Sequence, residues 1–275
     1  MKPQSLFPHE VEDVVLTLCE HIATPVSLGV AIRLRYGCWD DLASMQVIPE
    51  HYMDPNKFWA DSACVSLLRK CEDLPTSFDR KAVAVKNFWS SEHECFRTNQ
   101  RLTALLRMGS SWNSSEWRLV QFLDRVRQKV CEILGSCPSL QQGKFGPGAT
   151  FGDRGQLTLV PDKISNRPQL THDSWPFLFE WAGTAWASAC AAESRSPEFV
   201  RGNRFTTVPK DCTKDRGIAM EPSVNVFYQL AYGRVMKSRL KSYGIDLKEG
   251  QLVHREMARK ASVDGSFCTL DLSNA

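Results

Sequence analysis

Between Phe205 and Pro222 the sequence gathers three cations on what reads as one stiff support. Phe205 to Val208 and Gly217 to Met220 are β-prone, and the two stretches predict a pair of strands. The polar stretch between them carries Lys210, Lys214 and Arg216. Arginine engages phosphate oxygens bidentately through a planar fork, and lysine acts on them as a point charge. A twisted hairpin that holds all three close together suits a nucleotide triphosphate tail. The same residues also suit a solvated charged turn, and spacing alone leaves both open. Asp211, Asp215 and Glu221 stand where they would keep the cations apart and oriented when no ligand is present.

Two further stretches carry residue types that do chemistry. Ser266 to Leu272 predicts a strand with Cys268, Leu270 and Leu272 on one face and Phe267, Thr269 and Asp271 on the other. A carboxylate on a largely apolar strand is costly to bury alone, and a metal ion is one natural partner for Asp271. The run Asp-Leu-Ser-Asn also matches the residues that cap a helix N-terminus, so both readings stand. Phe145 to Gly152 resembles a phosphate cradle in its glycine content. It lacks the Gly-Lys-Ser/Thr ending and the strand-to-helix setting of a P-loop, which favours a turn cluster.

The elements that must position these residues are mostly helical. Val11, Val14, Val15, Leu18 and Ile22 recur at helical spacing until Thr24-Pro25. Further helices are expected around 57–71 and 79–107. A stronger one over 114–134 has Asn113 as its cap and an apolar stripe of Leu119, Phe122, Leu123, Val126, Val130, Ile133 and Leu134, expected to be core. Residues 143–168 predict loop with short strands near Leu157, Leu159 and Val160. Trp175 to Ala192 predicts a buried helix, and Glu193 to Asn203 an exposed connection. After Pro222 a helix carries the stripe Val224, Phe227, Ala231 and Val235, closed by Gly244. Arg234, Lys237, Arg239 and Lys241 crowd its C-terminal half, where they complement the helix dipole and are also placed to meet an RNA backbone.

The whole chain of 275 residues has 34 Lys+Arg, 31 Asp+Glu and a net charge of +3. That total hides an asymmetry: residues 201–260 hold 13 basic and 6 acidic side chains, a local +7 against −4 elsewhere. A basic block in a near-neutral chain points to a local polyanion site. An apolar fraction of 43% excludes wholesale disorder, and no run approaches a membrane span. No secretory signal is recognisable at the N-terminus. Ten cysteines without Cys-x-x-Cys spacing read as reduced, buried thiols of a cytosolic protein.

The stretch Val-Pro-Lys-Asp-Cys-Thr-Lys-Asp-Arg-Gly-Ile-Ala-Met-Glu-Pro (208–222) resembles the basic fingers motif of the RNA-dependent RNA polymerases of single-stranded RNA bacteriophages, the levivirus replicase family. Phe227-Tyr-Gln-Leu, Arg239-Leu, Tyr243-Gly-Ile-Asp-Leu247 and Thr269-Leu-Asp-Leu-Ser-Asn-Ala275 are similar to that family in the same order. Glu94-Cys-Phe-Arg-Thr-Asn99 and Phe145-Gly-Pro-Gly148 are similar upstream. The resemblance implies an α+β fold, the fingers region of a right-hand polymerase. It would be mainly helical with a basic β-hairpin, ending at the first palm strand. It divides the chain into 1–142 (N-terminal helical fingers), 143–265 (fingers with the nucleotide-binding hairpin) and 266–275 (first palm strand). It makes Lys210, Lys214 and Arg216 contacts to the incoming triphosphate and Asp271 a catalytic ligand of a two-Mg2+ site. Implied partners are template RNA and nucleoside triphosphates, with host elongation factors Tu and Ts and a ribosomal protein, in the cytoplasm of the infected bacterium and without a membrane.

In that family the palm strand continues Asp-Leu-Ser-x-Ala-Ser-Asp, with a Gly-Asp-Asp turn far downstream. This sequence ends at Ala275 and contains no Gly-Asp-Asp. The chain therefore reads as the N-terminal portion of a replicase, expected to lack polymerase activity by itself. The competing readings are a non-catalytic RNA-binding module and a helical structural protein whose basic turn meets a partner.

Overall fold

The computed structural model describes residues 9–107, 114–138 and 142–268. In chain order the helices are α1 (His9–Ile22), α2 (Pro25–Arg35), α3 (Trp39–Ser44), α4 (Pro55–Arg69), α5 (Arg80–Arg107), α6 (Ser114–Leu134), α7 (Val160–Ser165), α8 (Phe177–Ala182), α9 (Ala185–Ala192), α10 (Ser223–Ser242) and α11 (Gly250–Asp264). The strands are β1 (Gln169–Thr171), β2 (Glu198–Val200), β3 (Arg204–Pro209) and β4 (Asp215–Met220). The described residues are thus mostly helical with two small sheets, β1-β2 and β3-β4, an α+β arrangement. None of the described helices is long and apolar enough to cross a membrane. The chain forms two compact units, Met1–Glu94 with Phe205–Ile218, and Cys95–Arg204 with Ala219–Ala275.

The first unit is a helical cluster. Thr24 ends the chain path of α1 by capping α2: its Oγ1 accepts from the Ser27 N–H at 3.1 Å while Ser27 Oγ accepts from the Thr24 N–H at 3.0 Å. Asp61 of α4 lies buried beneath this cap, accepting from Thr24 Oγ1 and, at 2.8 Å, from the Tyr52 hydroxyl. The core joins Val15 and Cys19 of α1 to Val30 and Leu34 of α2, Leu42 of α3, and Cys64, Val65 and Leu68 of α4. One face of α1 is therefore centred on Val15 and Cys19, and Val14 from the predicted stripe stays 66% exposed.

The second unit is built around α10. Val224, Phe227, Tyr228 and Ala231 are buried along it, in agreement with the predicted stripe up to Ala231. Phe227 sits in a cluster of rings, 5.0 Å from Phe145 and 5.3 Å from Trp186, and Trp186 meets Trp181 at 5.6 Å. Such edge-to-face pairs add about 0.5–1.5 kcal/mol each beyond their buried area. Gly143 passes over the Phe227 ring so closely that a Cβ would lie 1.7 Å from Cε1, so no larger residue fits there. Strand β1 is tied to the start of α10, the Gln169 N–H donating to Ser223 Oγ at 2.9 Å and the Thr171 N–H to Asn225 Oδ1 at 3.1 Å.

Several expectations are corrected. Leu157, Leu159 and Val160 form no strand. Val160 opens α7, because Pro161 cannot donate to a ladder and the Asp162 carboxylate accepts from the Leu159 N–H at 2.9 Å. Trp175 to Ala192 is not one helix but α8 and α9, parted at Gly183-Thr184, where the Thr184 hydroxyl caps α9. The connection 193–203 contains β2, which pairs in parallel with β1, Leu170 opposite Phe199. The stripe of α6 is not core throughout: Phe122, Val126 and Val130 are exposed. The C-terminus of α6 is held by the Arg239 guanidinium, which donates to the carbonyls of Leu134 and, at 2.7 Å, Ser136. Buried cysteines among the ten are Cys19, Cys64, Cys190 and Cys212, while Cys95, Cys131 and Cys137 are exposed. Asn113, the proposed cap of α6, lies outside the described residues. Of the predicted terminal strand, 266–268 are not a strand and 269–275 lie outside the described residues.

Candidate functional site

Strands β3 and β4 pair as the sequence predicts, and residues 210–214 join them. The turn locks itself. Asp211 is 4% exposed, and its Oδ1 accepts from the Thr213 N–H (3.0 Å), the Thr213 hydroxyl (2.6 Å) and the Lys214 N–H (3.0 Å). The Asp211 N–H donates to the Lys214 carbonyl at 3.1 Å, closing the loop from the other side. Burial by itself pushes the Asp211 carboxyl up. The hydrogen bonds from Thr213 and Lys214, with the Arg69 charge nearby, outweigh it and hold the carboxyl below the usual range.

The turn is also anchored. Cys212 is fully buried in the core of the first unit, a small apolar plug at the centre of a polar loop. Its N–H donates to the Arg69 carbonyl at the end of α4 (3.0 Å), and its carbonyl accepts from the Thr76 hydroxyl (2.9 Å). On the strands, Phe205 packs against Phe88 of α5 with centroids 4.7 Å apart. The Phe205 ring covers Gly217 so closely that a Cβ there would come within 2.7 Å of the ring. Asp215 is buried and faces Arg80 of α5, with Nε and Oδ1 3.7 Å apart.

This scaffold leaves the three cations outward. Lys210 and Arg216 are exposed and Lys214 is half-buried. None of their side chains has a hydrogen bond or ion pair among the described residues. The acids do not restrain them as the sequence led us to expect. Asp211 is spent on its own turn, Asp215 on Arg80, and Glu221 accepts from the Asn203 amide at 3.3 Å. The hairpin is therefore a hydrogen-bonded and packed mount for three positive charges that are unpaired among the described residues. Sequence reasoning found the cations but missed Asp211 as the turn lock, Cys212 as the anchor and Phe88 as the backing ring. The Asp-x-Thr spacing at 211–213 was the available signal for the first, being a common side-chain-to-backbone turn.

The glycine-rich stretch 145–152 has the opposite polarity to a phosphate cradle. Lys163 is 2% exposed, and its ammonium donates to the carbonyls of Gly146 (2.5 Å) and Gly148 (2.7 Å). An anion site needs N–H groups turned inward; here carbonyls converge on a lysine of the same chain. The buried Asp153 holds the other end, accepting from the Thr150 hydroxyl and, at 2.6 Å, from the Asn166 amide. Asp271 lies outside the described residues. Among the described residues no group of three His, Cys, Asp or Glu could hold a metal ion.

Comparison with known proteins gives a consistent picture. The family described as RNA replicase, beta-chain, matches residues 20–275. Over 233 residues the chain is 29% identical to the RNA-directed RNA polymerase subunit beta of Escherichia virus Qbeta, an overlap covering 80% of this chain and 37% of that protein. It is 41% identical over 202 residues to the RNA-directed RNA polymerase beta chain of Enterobacteria phage fr, covering 71% and 36%. With the corresponding protein of Escherichia phage MS2 it shares 41% over 156 residues, covering 54% and 28%. The chain thus spans between 28% and 37% of the length of these curated relatives.

Proposed function

From the premise that the chain belongs to the RNA replicase beta-chain family, we propose that it is the fingers portion of a phage RNA-directed RNA polymerase and that its hairpin receives the incoming nucleoside triphosphate. The observation that carries this is the rigid hairpin with three cations unpaired among the described residues. A triphosphate brings several negative charges to a hairpin where Lys210, Lys214 and Arg216 are held without ion pairs among the described residues. Charge neutralisation and positioning are most of what a polymerase contributes to nucleotidyl transfer. Because Asp211 and Cys212 fix the turn, the cations need little reorganisation when the nucleotide arrives.

In the complete protein, residues 1–142 and 143–265 serve as fingers, and 266–275 belongs to the start of the palm. Asp271 is its metal-binding aspartate. Divalent metal bound there would activate the attacking 3′-hydroxyl and stabilise the departing oxygen. The remaining ligands of such a metal belong, on this reading, to a longer protein. Template RNA and nucleoside triphosphates are its substrates, and host elongation factors Tu and Ts with a ribosomal protein its partners, in the cytoplasm of the infected bacterium.

The test is nucleotide kinetics of the complete replicase carrying Lys214→Ala or Arg216→Ala. Loss of a charge-assisted contact, about 1.5–3 kcal/mol, raises the apparent KM for nucleotides by roughly one to two decades. Unchanged nucleotide kinetics in both variants would remove the hairpin from the reaction.

A further inference from the structure

Helix α10 carries a glycine, Gly233, in the middle of its length. Glycine is the least favourable residue in a helix interior after proline, so a mid-helix glycine normally has a steric reason. Gly233 has none among the described residues: a Cβ built on it meets nothing within 4 Å. The space it leaves open belongs to a cavity of about 400 Å³ in the second unit, a size that takes a small planar ligand. Its walls are aromatic rings and side-chain amides. Phe177 stacks on Tyr228 with centroids 4.8 Å apart and meets Tyr232 edge-on at 6.2 Å. Asn225 and Gln229 complete the rim. Asn225 is engaged with Thr171 through both ends of its amide, whereas the Gln229 amide is exposed and makes no bond among the described residues.

We propose that this cavity takes one unpaired base of an RNA strand, seated over Gly233 against the Tyr232 and Phe177 rings and read at its edge by the Gln229 amide. Every base has a face that stacks on aromatic rings, and an amide offers the paired donor and acceptor that a base edge matches. The charges around the cavity favour the single charge of a strand phosphate over a triphosphate, because Glu180 acts electrostatically on Tyr228 in the cavity wall. Lys237 stands one helical turn beyond Gly233, exposed and without an ion pair among the described residues. One cation suits the single charge of an internucleotide phosphate; a triphosphate calls for several. Next to the cavity wall at Ser174, Trp175 is 54% exposed and edge-on to Phe179 at 5.7 Å, a second surface for the following base. The inference rests on the reading of the chain as part of an RNA polymerase and adds a site separate in sequence from the hairpin.

The experiment uses the 275-residue chain and a fluorescein-labelled single-stranded RNA of mixed sequence containing 5-iodouridine. Anisotropy gives affinity, and photocrosslinking with peptide mass spectrometry gives the contact. The expected crosslink falls on Tyr232 or Phe177. Tyr232→Ala weakens binding by about five- to a hundredfold, the range for one lost stacking partner, while Tyr232→Phe retains it. Gly233→Leu fills the cavity with a better helix former, so the melting temperature holds or rises while affinity falls; Gly233→Ala gives the same stability check with a smaller group. Millimolar ATP leaves the RNA bound. Absence of RNA binding by the wild-type chain, crosslinks confined to other regions, or wild-type affinity in both Tyr232→Ala and Gly233→Leu each overturns the proposal. So does displacement of the RNA by ATP. None of these outcomes bears on the nucleotide KM of the hairpin variants, so the two readings fail separately.

Discussion

Asp211→Ala should loosen the basic hairpin from within while leaving all three cations in place. The carboxylate is buried and accepts three hydrogen bonds, two from backbone N–H groups and one from a hydroxyl. Hydrogen bonds to an ionised group are worth about 1.5–3 kcal/mol each, and a buried donor left unpaired costs about 1–3 kcal/mol. These terms overlap, and water entering the opened turn recovers part of them, so a net loss of about 2–4 kcal/mol is expected. Native-state hydrogen exchange reads this directly: the amides of Thr213 and Lys214 should lose roughly 30- to 1,000-fold in protection. Asp211→Asn keeps an acceptor without the charge and should fall between. The pH dependence has a definite sign. The folded carboxyl lies below its ordinary value, so its stabilisation is fully present above the unfolded pKa of about 3.9 and is lost as pH falls through the folded value. Asp211→Asn should remove that acid-side component. Unchanged protection of both amides in Asp211→Ala would refute the account of the turn.

Three other substitutions or treatments probe the same scaffold. Gly217→Ala drives a methyl into the Phe205 ring, which Phe88 backs, and should cost about 1–3 kcal/mol; a urea midpoint equal to wild type, or no recovery on adding Phe205→Leu, would count against the packing. Arg80→Ala leaves Asp215 buried without its ion pair and should cost about 1–3 kcal/mol, less than a fully buried pair because Arg80 is partly exposed. Adding Asp215→Asn should recover most of the loss in thermal melts. The Cys19 thiol is pushed up to about 12, first by burial and then by its neighbour Cys64, so iodoacetamide at pH 8 should label Cys95, Cys131 and Cys137 in the native chain and Cys19 only after unfolding. Early labelling of Cys19 would contradict its place in the core.

The parts of this molecule that read well from sequence are those governed by local pattern. The paired strands at 204–220 were visible in β-prone residues flanking a polar turn, and helices α4, α5 and α6 in their spacing. The failures share a cause in tertiary context. The apolar stripe of α6 promised burial, but amphipathicity states what a helix offers and not whether a neighbour accepts it. Leu157, Leu159 and Val160 looked like strand because propensity ignores a following proline and a capping carboxylate. Asp211 and Asp215 looked like restraints on the cations because unlike charges close in sequence are easily paired on paper. In the fold each acid faces inward, to its own backbone or to Arg80, and only the folded chain reveals that direction. The stretch 145–152 shows the same limit in reverse: glycine content marks a tight loop without saying whether N–H or C=O groups line it.

The anchoring of Cys212 sets a timetable for biogenesis. Thr76, whose hydroxyl holds the Cys212 carbonyl, is 136 residues away in sequence, so the first unit is assembled from two distant stretches of polypeptide. On a ribosome adding roughly 5–20 residues per second, about 7–27 seconds separate the two. During that interval α1 to α4 have emerged while the core that Cys212 completes is still without it. The nascent chain is then a natural client for chaperones, and a pause before residue 212 would lengthen its exposure. The cations would reach their final positions in the same step that seals this core, tying the maturation of the basic hairpin to the closing of its support.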